Sequence, residues 1–168
     1  MKLKKLSDLV YYLPHEEKRD RPLLSYINGT KIKLAIDAGS SLEHVKLFYK
    51  ELKDHNLELP DLTILTHWHW DHTFGVHAIN GLSITSKKTY QYLAAEQKQI
   101  LKEEYIKQLH SDLHGFKEEY ENKTINIKLP DIQYQEELVL DLGGISAFIK
   151  EVDAPHSLDS TIVYIKEE

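Results

Sequence analysis

Six consecutive residues near the middle of the chain, His67-Trp68-His69-Trp70-Asp71-His72, set three imidazoles and a carboxylate side by side. Few folds accommodate that. Buried without a cation, these groups would leave several polar atoms to satisfy at substantial cost. Exposed, they would carry Trp68 and Trp70 into water with them. The run follows an apolar segment, Leu62-Thr63-Ile64-Leu65-Thr66, which reads as a buried strand bounded by Pro60 and Asp61. Side chains two apart in an extended chain point the same way, so His67 and His69 are expected to emerge together at the strand's end. Asp71 and His72 fall where the backbone turns and are expected to approach the same spot from a second direction. One histidine beside a strand is ordinarily packed or solvated. Three with an aspartate are ligands of the kind zinc and similar divalent ions prefer.

The rest of the chain bounds the context. At 168 residues and 41% hydrophobic, it can bury one core, so a single domain over residues 1–168 is expected. A formal charge of −6, with only Lys2, Lys4 and Lys5 as a short basic start, argues against a nucleic-acid surface. No apolar run reaches the ~20 residues that span a bilayer, and the N-terminus lacks a signal-peptide core. Zero cysteines exclude disulfides, thiolate metal sites and cysteine nucleophiles together. These features fit a cytoplasmic enzyme acting on a small molecule.

Along the chain, Leu9–Leu13 and Leu23–Ile27 read as short strands, and Asn28-Gly29 as a hairpin turn returning through Lys31–Ile36. Ser40 followed by Glu43 fits a capping box, so a helix carrying Leu42, Val45, Leu47, Phe48 and Leu52 is predicted to run to about His55. After the histidine-rich run come a short helix over Thr73–Ile79 and a strand over Leu82–Thr85. This alternation marks a layered α/β domain. From Lys87 to about Tyr120 the composition is strongly helical, with Tyr90, Leu93, Ala94, Ile100, Leu101, Tyr105, Ile106 and Leu109 as an apolar stripe. Gly115 is expected to break it. His110 and His114, four apart there, have metal-binding spacing, although a solvated helix face is the simpler account. Ile132–Leu140, Ile145–Val152 and Thr161–Ile165 read as three strands, the first two joined at Leu142-Gly143-Gly144.

The pattern His-x-His-x-Asp-His after an apolar strand resembles the signature of the metallo-beta-lactamase-fold hydrolases. Two further segments are similar to that family's: Ile36-Asp37-Ala38-Gly39, like its early Asp-x-Gly turn, and Pro155-His156-Ser157-Leu158-Asp159-Ser160, like the segment bearing its next metal-binding histidine. Pro155 and Asp159 stand where glycines are common, a departure that bears on the loop's shape. The likeness runs from about residue 20 to the C-terminus, with a helical insertion at about 87–120.

The resemblance implies an α/β (α+β) fold, a metallo-beta-lactamase-like αββα sandwich. It implies that His67, His69 and His156 bind one metal while Asp71 and His72 contribute to a second. The cofactor is then zinc, one or two ions per chain, with iron or manganese as alternatives. Asp71 is the expected catalytic residue, orienting a metal-bound hydroxide and relaying its proton, and Asp37 supports the loop by hydrogen bonds. The reaction class is hydrolysis of an ester, thioester, lactone, amide or phosphoester. Family members usually continue past the equivalent of Glu168 with another strand, a bridging aspartate and a final histidine. The sandwich is therefore expected to be incomplete at the C-terminus, as in the N-terminal piece of a longer enzyme, with a homodimer as one way to cover an exposed sheet edge. The alternative function is a non-catalytic remnant that binds metal or a partner protein. A redox protein with paired iron is a third reading, weakened because no flavin-binding extension is seen. The helical insertion acts as structural cover or, alternatively, as a lid.

Overall fold

Antiparallel pairing organises the N-terminal strands. In the computed structural model, which describes residues 1–166, β1 (Lys4–Lys5), β2 (Val10–Leu13), β3 (Leu24–Asn28) and β4 (Lys33–Ile36) lie side by side in chain order. Asn28 faces Lys33 across the turn. The same sheet then continues in parallel through β5 (Leu62–Ile64), β6 (Leu82–Ser86) and β7 (Ile132–Tyr134). Each parallel step needs a crossover. The first is α1 (Leu42–Asp54); the second is α2 (Trp70–Thr73) with a 3-10 turn over Phe74–Ala78. The third combines α3 (Lys87–Gln99), α4 (Glu103–Asp112) and α5 (Phe116–Tyr120). A separate antiparallel sheet contains β8 (Glu137–Asp141), β9 (Ser146–Glu151) and β10 (Thr161–Ile165), ordered β10-β9-β8.

Strand alternation decides the layers. On one face of the large sheet Leu24, Tyr26 and Ala35 meet Phe48 and Leu52 of α1. On the other, Ile27, Leu34, Ile64 and Ile84 meet Leu142, Ala147 and Ile149 of the small sheet. Leu34 and Ile64 are fully enclosed, and each such side chain contributes about 1.5–3 kcal/mol by leaving water. A third cluster joins Leu65, Trp70 and Phe74 to Leu93, Leu109, Phe116 and Tyr120, packing the histidine-rich loop under the three-helix segment. The small sheet turns its other face outward, exposing Val139, Phe148, Ile162 and Tyr164. Among the described residues, no helix is long and apolar enough to cross a membrane.

Local readings shift in six places. The strand returning from the Asn28-Gly29 hairpin begins at Lys33 rather than Lys31, because Asn28 is still paired in β3 and the turn spans residues 29–32. The α1 cap is Ser41, whose side chain accepts from the His44 N–H, rather than Ser40. The apolar strand ends at Ile64, two residues short of the expected Thr66. The helix expected from Thr73 begins at Trp70. Leu101 is solvent-exposed, because α3 ends at Gln99 and α4 restarts at Glu103, which breaks the apolar stripe. The single strand expected over Ile132–Leu140 is two, in different sheets: Glu136 has φ 64°, and this left-handed residue redirects the chain from β7 to β8. Gly115, at φ 67°, does separate α4 from α5, and Gly143 and Gly144, at φ 87° and 83°, turn β8 into β9.

Candidate metal centre

The carboxyl ends of β4, β5 and β6 open toward one side of the sheet, where parallel α/β sheets form their clefts. Asp37 follows β4 and the histidine-rich loop follows β5. Because β5 ends at Ile64, strand alternation does not aim His67 and His69. The loop does. Its anchor is Asp37, buried and held at φ 66°, whose Oδ1 accepts from the Thr66 N–H at 2.7 Å and whose carboxylate also accepts from the Thr66 hydroxyl at 2.9 Å. With its proton committed to Asp37, Thr66 Oγ1 can only accept from His67 Nδ1, 3.0 Å away. That fixes the His67 tautomer and leaves its Nε2 lone pair free, the arrangement second-layer partners impose on metal-binding histidines.

The helix after the loop is docked just as closely. The Ala38 N–H donates to the His72 carbonyl at 3.0 Å and the Gly75 N–H to the Gly39 carbonyl at 2.9 Å. Gly75 is required by this approach, since a Cβ there would lie 2.0 Å from the Ala38 oxygen.

His156 arrives from the far end of the chain, on the loop between β9 and β10. Asp159, fully buried, ties that loop down: its carboxylate accepts from the Trp68 N–H at 3.0 Å, from the Thr89 hydroxyl at 2.8 Å and from the Ser157 hydroxyl. The Thr161 N–H adds a bond to the Thr66 carbonyl at 2.7 Å. Lys88 Nζ donates to the Leu158 carbonyl at 2.8 Å.

These restraints bring His67, His69 and His156 together. One ligand nitrogen from each lies within 4.8 Å of the others, and His67 Nε2 and His156 Nε2 are 3.2 Å apart. The three ring centroids are 4.6–4.9 Å from one another, edge to face. Two imidazole nitrogens 3.2 Å apart match the separation of about 3.3 Å that tetrahedral zinc sets between ligands at ~2.0–2.1 Å. Burial lowers the pKa of His67 to about 4 and that of His69 below its ordinary value, so both are neutral at pH 7, as ligands must be. The donor set fits a divalent cation.

Asp71 and His72 lie alongside rather than within this trio. The His72 ring is 4.2 Å from that of His67, centroid to centroid. Its Nδ1 is 2.7 Å from Asp37 Oδ2 and its Nε2 3.1 Å from Asp71 Oδ2. Only the doubly protonated ring donates to both carboxylates. Burial pulls its pKa down, but Asp37 and Asp71 outweigh burial and raise it to about 10. Burial likewise pushes the Asp71 carboxyl up, and His72 more than reverses this, holding it below the usual value. His110 and His114 stand apart: His110 packs on Phe116, and His114 Nε2 lies 2.9 Å from the Glu17 carbonyl. Sequence reasoning missed the roles of Thr66 and Asp159 as anchors. Asp159 was visible only as a residue where glycine is usual.

A cavity of about 570 Å³ opens beside the centre, bounded by Trp68, Trp70, His69, His156 and the α4 residues Tyr105 and Leu109. The helical segment therefore reaches the site.

A family model described as the metallo-beta-lactamase superfamily matches residues 25–168. Among solved structures, the chain is similar to a HARLDQ-motif metallo-beta-lactamase from Cronobacter sakazakii, with a TM-score of 0.71 and 13% identity over 98% of this chain and 60% of that one. It is also similar to BJP-1, a subclass B3 metallo-beta-lactamase of Bradyrhizobium japonicum, at a TM-score of 0.68 and 15% identity over 98% of this chain and 56% of that one. The sec-alkyl sulfatase PisA1 gives a TM-score of 0.74 and 11% identity over 99% of this chain and 30% of that one. The chain thus spans less than two thirds of the length of these structures. None of the curated proteins compared with the chain matches it.

Proposed function

Because this chain belongs to the metallo-beta-lactamase superfamily, we propose that it is a zinc-dependent hydrolase whose metal is held by His67, His69 and His156. The observation that carries this reading is the convergence of imidazoles 89 positions apart on one point. Three neutral histidines leave a tetrahedral ion one open position, the pattern of a catalytic rather than a structural site. When bound, such an ion supplies Lewis acidity and renders water nucleophilic at neutral pH.

The residues around it divide the remaining work. His67 is kept in the ligating tautomer by Thr66 and Asp37. Asp71 is the carboxylate we assign to accept a proton: it is ionised at neutral pH, and the hydrogen bond its Oδ2 takes from His72 fixes its position beside the centre. His72 in turn has the Asp37 carboxylate behind it. Trp68, Trp70 and Leu109 wall the cavity with apolar surface and limit water around a bound ester, thioester, lactone, amide or phosphoester.

Elemental analysis of the purified protein, paired with hydrolysis of p-nitrophenyl acetate and a thioester, tests this. Zinc near one equivalent with turnover is expected, and His67→Ala is expected to lose both. Unchanged zinc in His67→Ala would remove the ligand assignment. One observation favours the non-catalytic reading instead: both nitrogens of His72 are already engaged by carboxylates, which leaves a second ion few free donors. Full zinc occupancy without turnover on either substrate would support it.

A further inference from the structure

Two clefts meet at His69 and His156, and the wall they share narrows what the remote end of a substrate carries; this step rests on the hydrolase reading. One cleft, about 370 Å³, runs under Tyr92 of α3; the other, about 570 Å³, runs under Tyr105 of α4. Trp68 and Glu96 line both. Glu96 is only 6% exposed, and its carboxylate accepts from the Tyr105 hydroxyl through Oε1 at 2.9 Å and Oε2 at 2.8 Å. A single phenol proton leaves most of a carboxylate's acceptor sites unused. Burial raises its pKa above the usual value.

Joining α3 to α4 does not require a charge. A glutamine would also accept from Tyr105 without the desolvation cost of a buried carboxylate. The remainder of the lining sharpens the point. Among the described residues lining either cleft there is no lysine or arginine, whereas Asp20, Asp71 and Asp112 join Glu96 in the larger one. The His72 cation, which also lines the larger cleft, is already paired with Asp37 and Asp71, so a substrate bearing a carboxylate or phosphate away from its scissile bond would find no unpaired counter-charge and several repulsive ones. An ammonium group would find Glu96 as a partner and the rings of Trp68 and Tyr105 as cation-binding faces.

We propose that the substrate carries an alkylammonium group on an apolar arm, paired with Glu96 between Trp68 and Tyr105 while the scissile group lies at the His67–His69–His156 centre. Three hydroxamates of matched length test it, because the hydroxamate end reports on the metal and the other end on the cleft. The zinc-loaded protein is titrated calorimetrically with hexanohydroxamate, 6-aminohexanohydroxamate and the monohydroxamate of adipic acid at about pH 7.5. The amino compound is expected to bind about tenfold tighter than the neutral one, and the acid about tenfold weaker. Glu96→Gln is expected to narrow the amino-to-neutral ratio to about twofold, while Tyr105→Phe, which keeps the carboxylate, preserves at least about fivefold. Equal affinities, or a preference for the acid, in the unsubstituted protein would overturn the inference and leave the metal centre standing. Failure of all three to bind would overturn the metal reading and this one with it.

Discussion

Asp159→Ala isolates the tie between the two halves of the metal centre. The carboxylate is wholly enclosed and accepts three hydrogen bonds, from Trp68 N, Thr89 Oγ1 and Ser157 Oγ. Hydrogen bonds to a charged group contribute about 1.5–3 kcal/mol each, but removing the carboxylate also relieves its own desolvation, so the sum of the three overstates the loss. Thr89 keeps its bond to the Asp159 carbonyl at 3.2 Å and its contact with Ser86 Oγ at 3.1 Å. The Trp68 N–H makes no other hydrogen bond among the described residues, and leaving this part-buried amide unsatisfied costs up to the ~1–3 kcal/mol of a fully buried one. A net loss of about 2–3 kcal/mol follows. In a chain of this size each kcal/mol lowers Tm by about 2–4 °C, so a fall of roughly 4–12 °C is expected. Zinc affinity should drop by about 10–100-fold, the usual effect of losing a second-layer support, because the His156 loop then keeps the Thr161 bond to Thr66 and the Lys88 bond but loses its tie to Trp68. Asp159→Asn, which retains an acceptor, should fall between. Scanning calorimetry of the metal-free protein and competition titration with a zinc chelator give the two numbers. A Tm within 1 °C of the parent and an affinity within about twofold would refute the view that this carboxylate joins the loops.

Other expectations follow from the same packing. Gly75→Ala places a methyl 2.0 Å from the Ala38 oxygen, backbone that cannot yield without unseating the Asp37 turn, so a loss above about 3 kcal/mol is expected in urea denaturation. Glu119→Gln breaks a buried pair in which Arg21 donates from Nε at 3.1 Å and from Nη2 at 2.9 Å, and it should cost about 3–5 kcal/mol by the same measurement. A loss under about 0.5 kcal/mol would show the Arg21 charge to be satisfied elsewhere. The metal-free protein should be most stable near pH 6–7. His72, raised to about 10, contributes stability that is complete below about pH 6.5 and is lost as pH climbs through 10. Burial lowers His44 to about 3 and His67 to about 4, so the unfolded chain takes up protons that the fold refuses as pH falls below about 6.5, at up to ~1.4 kcal/mol per pH unit for each. Urea midpoints across pH 4–10 read this directly, and a midpoint rising steadily from pH 6 to pH 10 would contradict it.

Local chemistry made much of the fold readable. The α1 termination at His55 and the glycines at 115, 143 and 144 each act within a few residues, and each stands where the sequence signals placed it; the Asn28-Gly29 signal marked a hairpin, but its turn spans residues 29–32. The misplaced elements are those settled by tertiary contact. Nothing local separates Ile132–Tyr134 from Glu137–Asp141 except Glu136, and glutamate carries no propensity for φ 64°. The two strands part because Ile84 offers a parallel partner to Ile132 while Lys150 offers an antiparallel one to Glu137. Leu101 belonged to a helical period that assumed one continuous helix; the break after Gln99 rotates it into water.

At the metal centre the division runs between identity and aim. The histidine-aspartate run announces its own chemistry, because no other use explains so many ligating side chains in six positions. What aims them is not contained in that run. Alternation along a strand predicted that His67 and His69 would share a direction, yet β5 ends three residues before His67. Their rings converge because Asp37, 30 positions earlier than His67, fixes Thr66, and because Asp159 holds the Trp68 amide between the two imidazoles. Both anchors are buried carboxylates that accept backbone N–H groups, each demanding partners wherever the chain can supply them. A buried aspartate with no lysine or arginine beside it in sequence is thus the mark to look for when a metal loop's ligands are evident and its supports are not. Here Asp37 carried that mark within a recognisable turn, and Asp159 carried it as an aspartate in a glycine's place.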